Sequence, residues 1–176
     1  MPRQTLEHEL KRIQDEVLVL GSMVENALVE SVEILKRRDH QAAKALIAAD
    51  QAINQKRFAI EEDTLRVIAT QQPMASDLRA LAAVLEIITE LERMGDYAKG
   101  IARINIKMGD KPLLKPLVDI PRMVHLVQSG LHQALDAFIR RDVELARKLP
   151  KADDEVDALY NQVYRELLVF MMEDPQ

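Results

Sequence analysis

The stretch LEHELKRIQDEVLVLGSMVENA, residues 6–27, decides the fold. Its apolar residues recur at alternating steps of four and three, which is the spacing of one buried face on an α-helix. This spacing predicts a long helix that continues to about Lys36 and packs lengthwise against other helices. No period-two alternation, which would indicate a strand, competes with it elsewhere in the chain. The residues that form this face are Leu6, Leu10, Ile13, Val17, Leu20, Val24 and Ala27.

Two further helices are predicted directly after this one. Asp39 is a suitable N-cap for a second helix over residues 41–70. Pro73 is expected in the first turn of a third helix, where a proline is tolerated, and this helix runs to about Lys107. Helices of about 30 residues joined by tight turns predict an all-α, antiparallel helical bundle.

A proline-rich linker separates these helices from the rest of the chain. Residues 108–121 contain one glycine and three prolines, a composition that ends helices. A fourth helix is predicted from there to about Arg141, and Asp142 can cap a fifth. The fifth helix is expected to reach about Met172, with a break near Pro150.

Composition excludes several classes of function. The formal net charge is −5, which disfavours nucleic acid as the main partner. Cysteine is absent, so disulfides and thiolate metal sites are excluded. The most apolar stretch, residues 81–88, is too short for membrane insertion. Because the first twelve residues also lack an apolar signal core, we expect a cytoplasmic protein.

The two halves of the chain resemble each other, which indicates a tandem repeat. Residues 37–39 read Arg-Arg-Asp, as do residues 140–142, and at the same offset Asp50 matches Asp153. We therefore predict a first three-helix unit over 1–110 and a second over 111–176 that lacks its last helix. Pro175 should begin that helix, so we expect a fragment of a longer protein or, less favoured, another chain that covers the exposed apolar face.

The third helix contains the acidic segment ELERMGDYAKGIA, residues 90–102. On a helical wheel, Glu92 and Asp96 extend the stripe of Leu78, Leu81 and Leu85 and are therefore expected to face the core. Two carboxylates one turn apart repel each other, and burial penalises each of them. A cation must therefore compensate them.

The second helix offers a related pair, Asp50 and Asn54. This pair is centred 21 residues before Pro73, and the pair Glu92 and Asp96 is centred 21 residues after it. In an antiparallel hairpin, equal distances from the turn mean equal heights, about 30 Å from the tip. We expect the two pairs to face each other.

Two interpretations of this juxtaposition stay open. Converging carboxylate and amide oxygens suit a hard cation such as Mg, Mn or Fe. Alternatively, Lys99 and Arg103 extend the same stripe and could neutralise the acids without metal. The second unit repeats the half-site as Asp153 and Asp157.

His125 and His132, seven residues apart on the fourth helix, are interpreted as ordinary surface or core residues.

The chain resembles the PhoU family, the accessory regulators of bacterial phosphate uptake. The resemblance rests on QQPMASDLRALAAVLEIITELERMGDYAKGIA at 71–102, supported by IAADQAIN at 47–54, KADDEVDALY at 151–160 and MMEDP at 171–175. It implies a fold of two three-helix repeats. It also implies a multinuclear iron or zinc cluster on the acid motifs, which fall on Asp50, Asn54, Glu92, Asp96, Asp153 and Asp157.

The resemblance further implies a regulatory function. Such a protein would repress phosphate uptake and phosphate-starvation signalling through the ATPase subunit of the phosphate ABC transporter and a sensor histidine kinase, as a homodimer and without catalysis. Two alternatives remain, a carboxylate-bridged metal-dependent enzyme and a metal-free helical scaffold. An enzyme would need an open coordination position and a nearby base, and no histidine is placed to serve as one.

Overall fold

The computed structural model describes residues 2–173, and α-helices account for all of its regular structure in that range, so the all-α prediction is confirmed. Four long helices are followed by a fifth that is broken near its start into a short segment, α5, and a long one, α6. Within the described range no helix is both long and apolar enough to cross a membrane. The helices are α1 (Pro2–Arg37), α2 (His40–Gln71), α3 (Ser76–Met108), α4 (Asp119–Arg140), α5 (Val143–Ala146) and α6 (Leu149–Glu173).

The first three helices pack on one another around a continuous apolar core. The predicted face of α1 is buried at its centre, where Val17, Leu20 and Val24 are fully enclosed. Helix α3 lies against both α1 and α2 and contributes Leu81 and Ile88, which are also fully buried. Burial of a side chain of this size stabilises a fold by about 1.5–3 kcal/mol.

The helix starts confirm two caps and correct one prediction. The carboxylates of Asp39 and Asp142 accept hydrogen bonds from the amides of Ala42 and Leu145, each at 2.9 Å, as predicted. Pro73, however, does not lie in α3. The turn before α3 includes Ala75, whose φ of 46° is incompatible with a right-handed helix, so α3 begins only at Ser76.

The end of α1 is tied to the end of α3 by Arg38. Its guanidinium donates to the Asn105 side-chain oxygen at 3.2 Å, to the Gly109 carbonyl and to the Lys111 carbonyl at 2.9 Å. The Asn105 amide is fully buried and donates to the Asp39 carbonyl at 3.3 Å. These bonds satisfy backbone carbonyls that would otherwise lack partners at a helix end.

The second unit joins the first through α4, which packs on α1. Gly21 permits this contact, because a Cβ atom there would overlap Leu135 of α4. The predicted break in the fifth helix is confirmed: α5 ends at Ala146, and Pro150 lies in the first turn of α6.

Helix α6 packs on α4 and has only Leu159 among the described buried residues. Several of its large apolar side chains are exposed: Tyr160, Tyr164, Leu168, Val169, Met171 and Met172. This open apolar face agrees with the expectation drawn from the repeat. Pro175, the predicted start of a further helix, lies outside the described residues.

An ion-pair cluster links α1 to α2 near the α2–α3 turn. Asp63 accepts a hydrogen bond from Arg12 at 2.6 Å and another from Arg66 at 2.6 Å. The bond from Arg12 contributes most to lowering the pKa of Asp63 below its ordinary value of 3.8. The ionised carboxylate therefore stabilises the folded chain.

The lowered pKa of Asp63 predicts a loss of stability in acid. A carboxyl group whose pKa is lower in the folded state than in the unfolded state stabilises the fold at pH values above its unfolded pKa. This contribution is lost as the pH falls through the pKa of the folded state. We expect Asp63→Asn to cost at most about 1 kcal/mol at pH 7, because these side chains are partly exposed. The difference from wild type should shrink as pH falls below the ordinary value of 3.8 and disappear once the folded carboxyl group is protonated.

Urea unfolding at several pH values measures this difference. Glu62→Gln is the matched control, because Glu62 is exposed on the same helix. A cost for Asp63→Asn that is the same at pH 3 and pH 7 would contradict the electrostatic origin of the effect.

Candidate functional site

The candidate site is centred on Asp50, a buried carboxylate of α2. Its side chain is only 8% exposed, and its Oδ2 atom accepts a hydrogen bond from Lys99 of α3 at 2.6 Å. Asn54, one turn further along α2, donates its amide to the same oxygen at 3.1 Å. Burial of a carboxylate is costly unless it is paired and hydrogen-bonded, and both conditions are met here.

Lys99 is the cation that joins α2 to α3. Its ammonium lies 2.6 Å from Asp50 and 3.2 Å from Asp96, and its side chain is 19% exposed. The hydrogen bond to Asp50 raises the pKa of Lys99 above its ordinary value of 10.5, and this effect outweighs the opposing effect of burial. Lys99 therefore stays charged at neutral pH, and the ion-pair arrangement anticipated from the sequence is present.

The predicted equal heights of the two acid pairs agree with these contacts, because one lysine reaches both Asp50 and Asp96. The predicted core-facing orientation was wrong for Asp96. Asp96 is 53% exposed, and Glu92 is half-buried. The buried face of α3 passes through Leu91, and at 100° per residue Asp96 lies about 140° away from it.

Gly95 lies on the buried face of α3 and is not among the predicted site residues. A Cβ atom at this position would come within 3.3 Å of two Ile53 carbon atoms and 3.9 Å from Asp50 Oδ1. The glycine therefore allows α2 to approach α3 closely at the level of the carboxylate. A glycine inside a helix is unfavourable by itself, so its position beside the acidic residues was a signal that could have been used.

The corresponding motif of the second unit is not enclosed. Asp153 and Asp157 on α6 are both exposed, and no ion pair involves either of them within residues 2–173. Asp153 borders a cavity of about 490 Å³ whose lining includes Met94 of α3 and Leu131 of α4. The structure therefore brings Asp50, Asn54 and Asp96 together and leaves the second motif apart from them.

These donor groups do not make a metal-binding set in the arrangement described. The Lys99 ammonium lies between the two carboxylates, and Asn54 turns its amide nitrogen, not its oxygen, toward Asp50. Across residues 2–173, no three His, Asp or Glu side chains are grouped so that they could hold an ion. The iron or zinc cluster, or a Mg or Mn site, therefore stays a prediction, and the function proposed below does not depend on it.

The fold and this site together define a class of protein: a helical bundle built from repeats, with an acid motif where the second and third helices of a repeat meet. A family model described as the PhoU domain matches residues 17–104 and 120–176. The chain belongs to the PhoU family.

Named relatives and solved structures agree with this assignment. The chain is 36% identical over 168 residues to the PhoU homolog of Aquifex aeolicus, with 96% of the chain and 76% of the relative covered. It is 38% identical to the phosphate-specific transport system accessory protein PhoU of Escherichia coli, with 94% and 69% covered. These relatives are named accessory proteins, not enzymes.

Two solved structures share the fold. PhoU from Pseudomonas aeruginosa superposes with a TM-score of 0.86 at 35% identity, covering 96% of this chain and 81% of that one. The phosphate transport system regulatory protein PhoU from Streptococcus pneumoniae gives 0.87 at 28% identity, with 96% and 80% covered.

Proposed function

We propose that this protein is an accessory regulator of a phosphate-specific transport system, and that it restrains phosphate uptake and phosphate-starvation signalling when phosphate is plentiful. The observation that carries the proposal is the match of almost the whole chain to PhoU accessory proteins in both sequence and fold. The role is that of an adaptor, in which binding to other proteins, not catalysis, produces the effect.

The proposed partners are the ATPase subunit of the phosphate ABC transporter and a sensor histidine kinase. Both partners would be met on the cytoplasmic side of the membrane, and the adaptor would act as a homodimer. Long helices with exposed apolar side chains support a binding role, because such side chains often mark interaction surfaces. Examples on three helices are Phe58, Tyr97 and Tyr164.

A metal cluster on the acid motifs is a separate proposal that rests on the family resemblance. It would require the Lys99 ammonium to leave the space between Asp50 and Asp96, because an ammonium and a metal ion cannot share the same carboxylate oxygens. Elemental analysis of protein purified without chelator tests it. Metal that is present in wild type and lost in Asp50→Ala would support the cluster, and an unchanged metal content would contradict it.

Complementation tests the regulatory function. In a bacterium that lacks its PhoU and expresses phosphate-starvation genes constitutively, we expect this chain to lower a starvation reporter at least several-fold in phosphate-rich medium. The reporter should rise again on phosphate starvation. Leu135→Ala, which weakens the packing of α4 on α1 between the two units, should reduce repression.

The exposed variant Glu62→Gln serves as the control for complementation and should repress as wild type does. A chain that is expressed and folded but leaves the reporter unchanged would contradict the proposed function. Co-purification of this chain with the transporter ATPase subunit, and separately with the sensor kinase, shows which of the two proposed partners it binds directly.

A further inference from the structure

One end of the helical bundle carries a surface that the candidate site does not include. Helices α1 and α3 both end there, and the guanidinium of Arg38 ties these ends together by donating to Asn105, Gly109 and Lys111. The linker between α3 and α4 therefore begins at this end of the bundle.

The linker also finishes at this end. A Cβ atom at Gly21 of α1 would overlap Leu135 of α4. One turn further along α1, Oε1 of Glu25 lies 3.7 Å from Nδ1 of His132, so the two helices run antiparallel. Counted along antiparallel helices of equal rise, Asp119 at the start of α4 is level with the last turn of α1. The linker therefore crosses the end of the bundle.

Positive charges cluster at this end. Arg37 lies in the last turn of α1, Lys107 lies in the last turn of α3, and Lys111 lies in the linker. All three side chains are exposed, and none of them forms an ion pair within residues 2–173. Arg38 beside them donates to neutral acceptors, so its charge is not cancelled by a carboxylate of the described residues either.

The acidic side chains at this end do not cancel this charge. Asp39 caps α2, and Asp110 is exposed in the linker. Together they offset only part of the four cations. The remaining charges form pairs that are neutral or acidic among themselves: Lys36 with Glu33, and Lys115 with Asp119 and Glu166.

This excess of positive charge contrasts with the rest of the chain. The formal net charge of the whole chain is −5, and near the opposite end Arg12 and Arg66 are both paired with Asp63. Cations in the last turn of a helix are favourable for the helix itself. That effect does not explain Lys111, which lies outside a helix.

Exposed apolar side chains lie in the linker beside these cations. Leu114 is 72% exposed and Val118 is 70% exposed. Cations next to exposed apolar side chains are typical of proteins that bind the surface of an anionic membrane. The basic end is defined here as these side chains: Arg37, Lys107, Lys111, Leu114 and Val118.

We propose that the basic end binds the surface of a bilayer that contains anionic lipids. The cations attract the lipid phosphates, and Leu114 and Val118 enter the headgroup layer. A membrane is favoured over an acidic protein on the basis of the proposed function, since an accessory protein of a membrane transporter works beside the bilayer. Because the rest of the chain is negative, only this end is attracted, and the long helices stand upright on the membrane.

Co-sedimentation with lipid vesicles tests the proposal on the intact chain. We expect wild type to bind vesicles of phosphatidylglycerol and phosphatidylcholine in equal parts, and not vesicles of phosphatidylcholine alone. Binding should fall at least tenfold at about 1 M salt, where charges are screened beyond about 3 Å. The triple variant Arg37→Gln, Lys107→Gln and Lys111→Gln should weaken binding at low salt at least tenfold, because each cation near an anionic surface adds to the attraction.

A triple variant at the other end of the bundle is the matched control. Arg79→Gln, Lys148→Gln and Lys151→Gln remove the same number and kind of charges from exposed positions. These positions lie near the starts of α3 and α6, where Arg79 and Leu149 line one cavity. This control should bind the vesicles as wild type does, which separates the local charge of the basic end from the net charge. Circular dichroism checks that both triple variants are folded.

A single tryptophan reports which part of the chain meets the lipid, because the chain has no tryptophan of its own. The emission of Leu114→Trp should shift to shorter wavelength when the phosphatidylglycerol vesicles are added. Met74→Trp is the control, because Met74 is 79% exposed in the turn between α2 and α3, and its emission should stay unchanged.

Three results would overturn the proposal: no binding of wild type to the phosphatidylglycerol vesicles, equal losses in the two triple variants, or a shift for Met74→Trp and none for Leu114→Trp. If wild type ignores the vesicles and the basic-end variant loses co-purification with the transporter ATPase subunit, the surface binds a protein instead. The complementation assay decides the regulatory function separately, because repression by a chain that does not bind lipid would leave that function standing.

Discussion

Replacing Lys99 by methionine is expected to destabilise the fold by about 3 kcal/mol, because it leaves the buried carboxylate of Asp50 without its cation. Methionine has a similar length and fills the same space, so the loss reflects charge and not volume. The cost lies at the lower end of the usual range for a broken buried pair, since Lys99 is 19% exposed and water can approach. The midpoint of urea unfolding measures the change.

A double-mutant cycle separates the pair from its surroundings. Asp50→Asn combined with Lys99→Met should cost clearly less than the sum of the two single variants, because neither charge is then left alone. Lys107→Met is the matched control, since Lys107 is an exposed lysine in the last turn of the same helix, and its effect should stay within about 0.5 kcal/mol. Wild-type stability in Lys99→Met would instead indicate that another cation compensates Asp50.

Truncation of Leu135 to alanine is the second large effect, about 3 kcal/mol. Leu135 is 5% exposed and fills the space that Gly21 leaves open between α4 and α1. Gly21→Ala should be destabilising as well, because the new methyl group overlaps Leu135, although the better helix propensity of alanine offsets about 1 kcal/mol. Combined, the two substitutions should cost less than their sum, since the added methyl group occupies part of the cavity.

Chemical unfolding of wild type, the two single variants and the double variant measures this double-mutant cycle. Limited proteolysis shows whether α4 separates from α1 before the first unit unfolds. Gly100→Ala is the control, because nothing lies within 4 Å of a Cβ atom placed there, and it should stabilise slightly. Strict additivity of Gly21→Ala and Leu135→Ala would show that the two residues do not share one space.

Much of the fold could be predicted from local chemistry. The apolar period of α1 and the capping carboxylates of Asp39 and Asp142 depend on neighbours in sequence, so they identify the helices directly. The heights of Asp50 and Asp96 followed from counting along two straight helices at a fixed rise. The turn at Pro73 was misplaced, because Ala75 adopts a φ of 46°, which is uncommon for an alanine and is not predicted from its residue type.

The details of the site were harder to predict. The predicted buried face of α3 was aligned on Leu78, which is 42% exposed. Because Leu78 does not lie at the centre of the buried face, Asp96 was wrongly expected in the core. Lys99 has a long flexible side chain, and no periodicity determines which acid it reaches. The contact between Gly21 and Leu135 joins residues more than a hundred positions apart, so local patterns carry no information about it.

The hydrogen bonds of Arg38 restrict which residues of the linker can act as a hinge between the two units. Residues 109 and 111 are bound to its guanidinium, and further along the connection Lys115 is anchored to Glu166 and lies 3.7 Å from Asp119. Between these two anchors only residues 112–114 remain available as a hinge, and one of them is a proline with a fixed φ. A change in the angle between the halves therefore requires rotation about these three residues together with movement of α4 on α1.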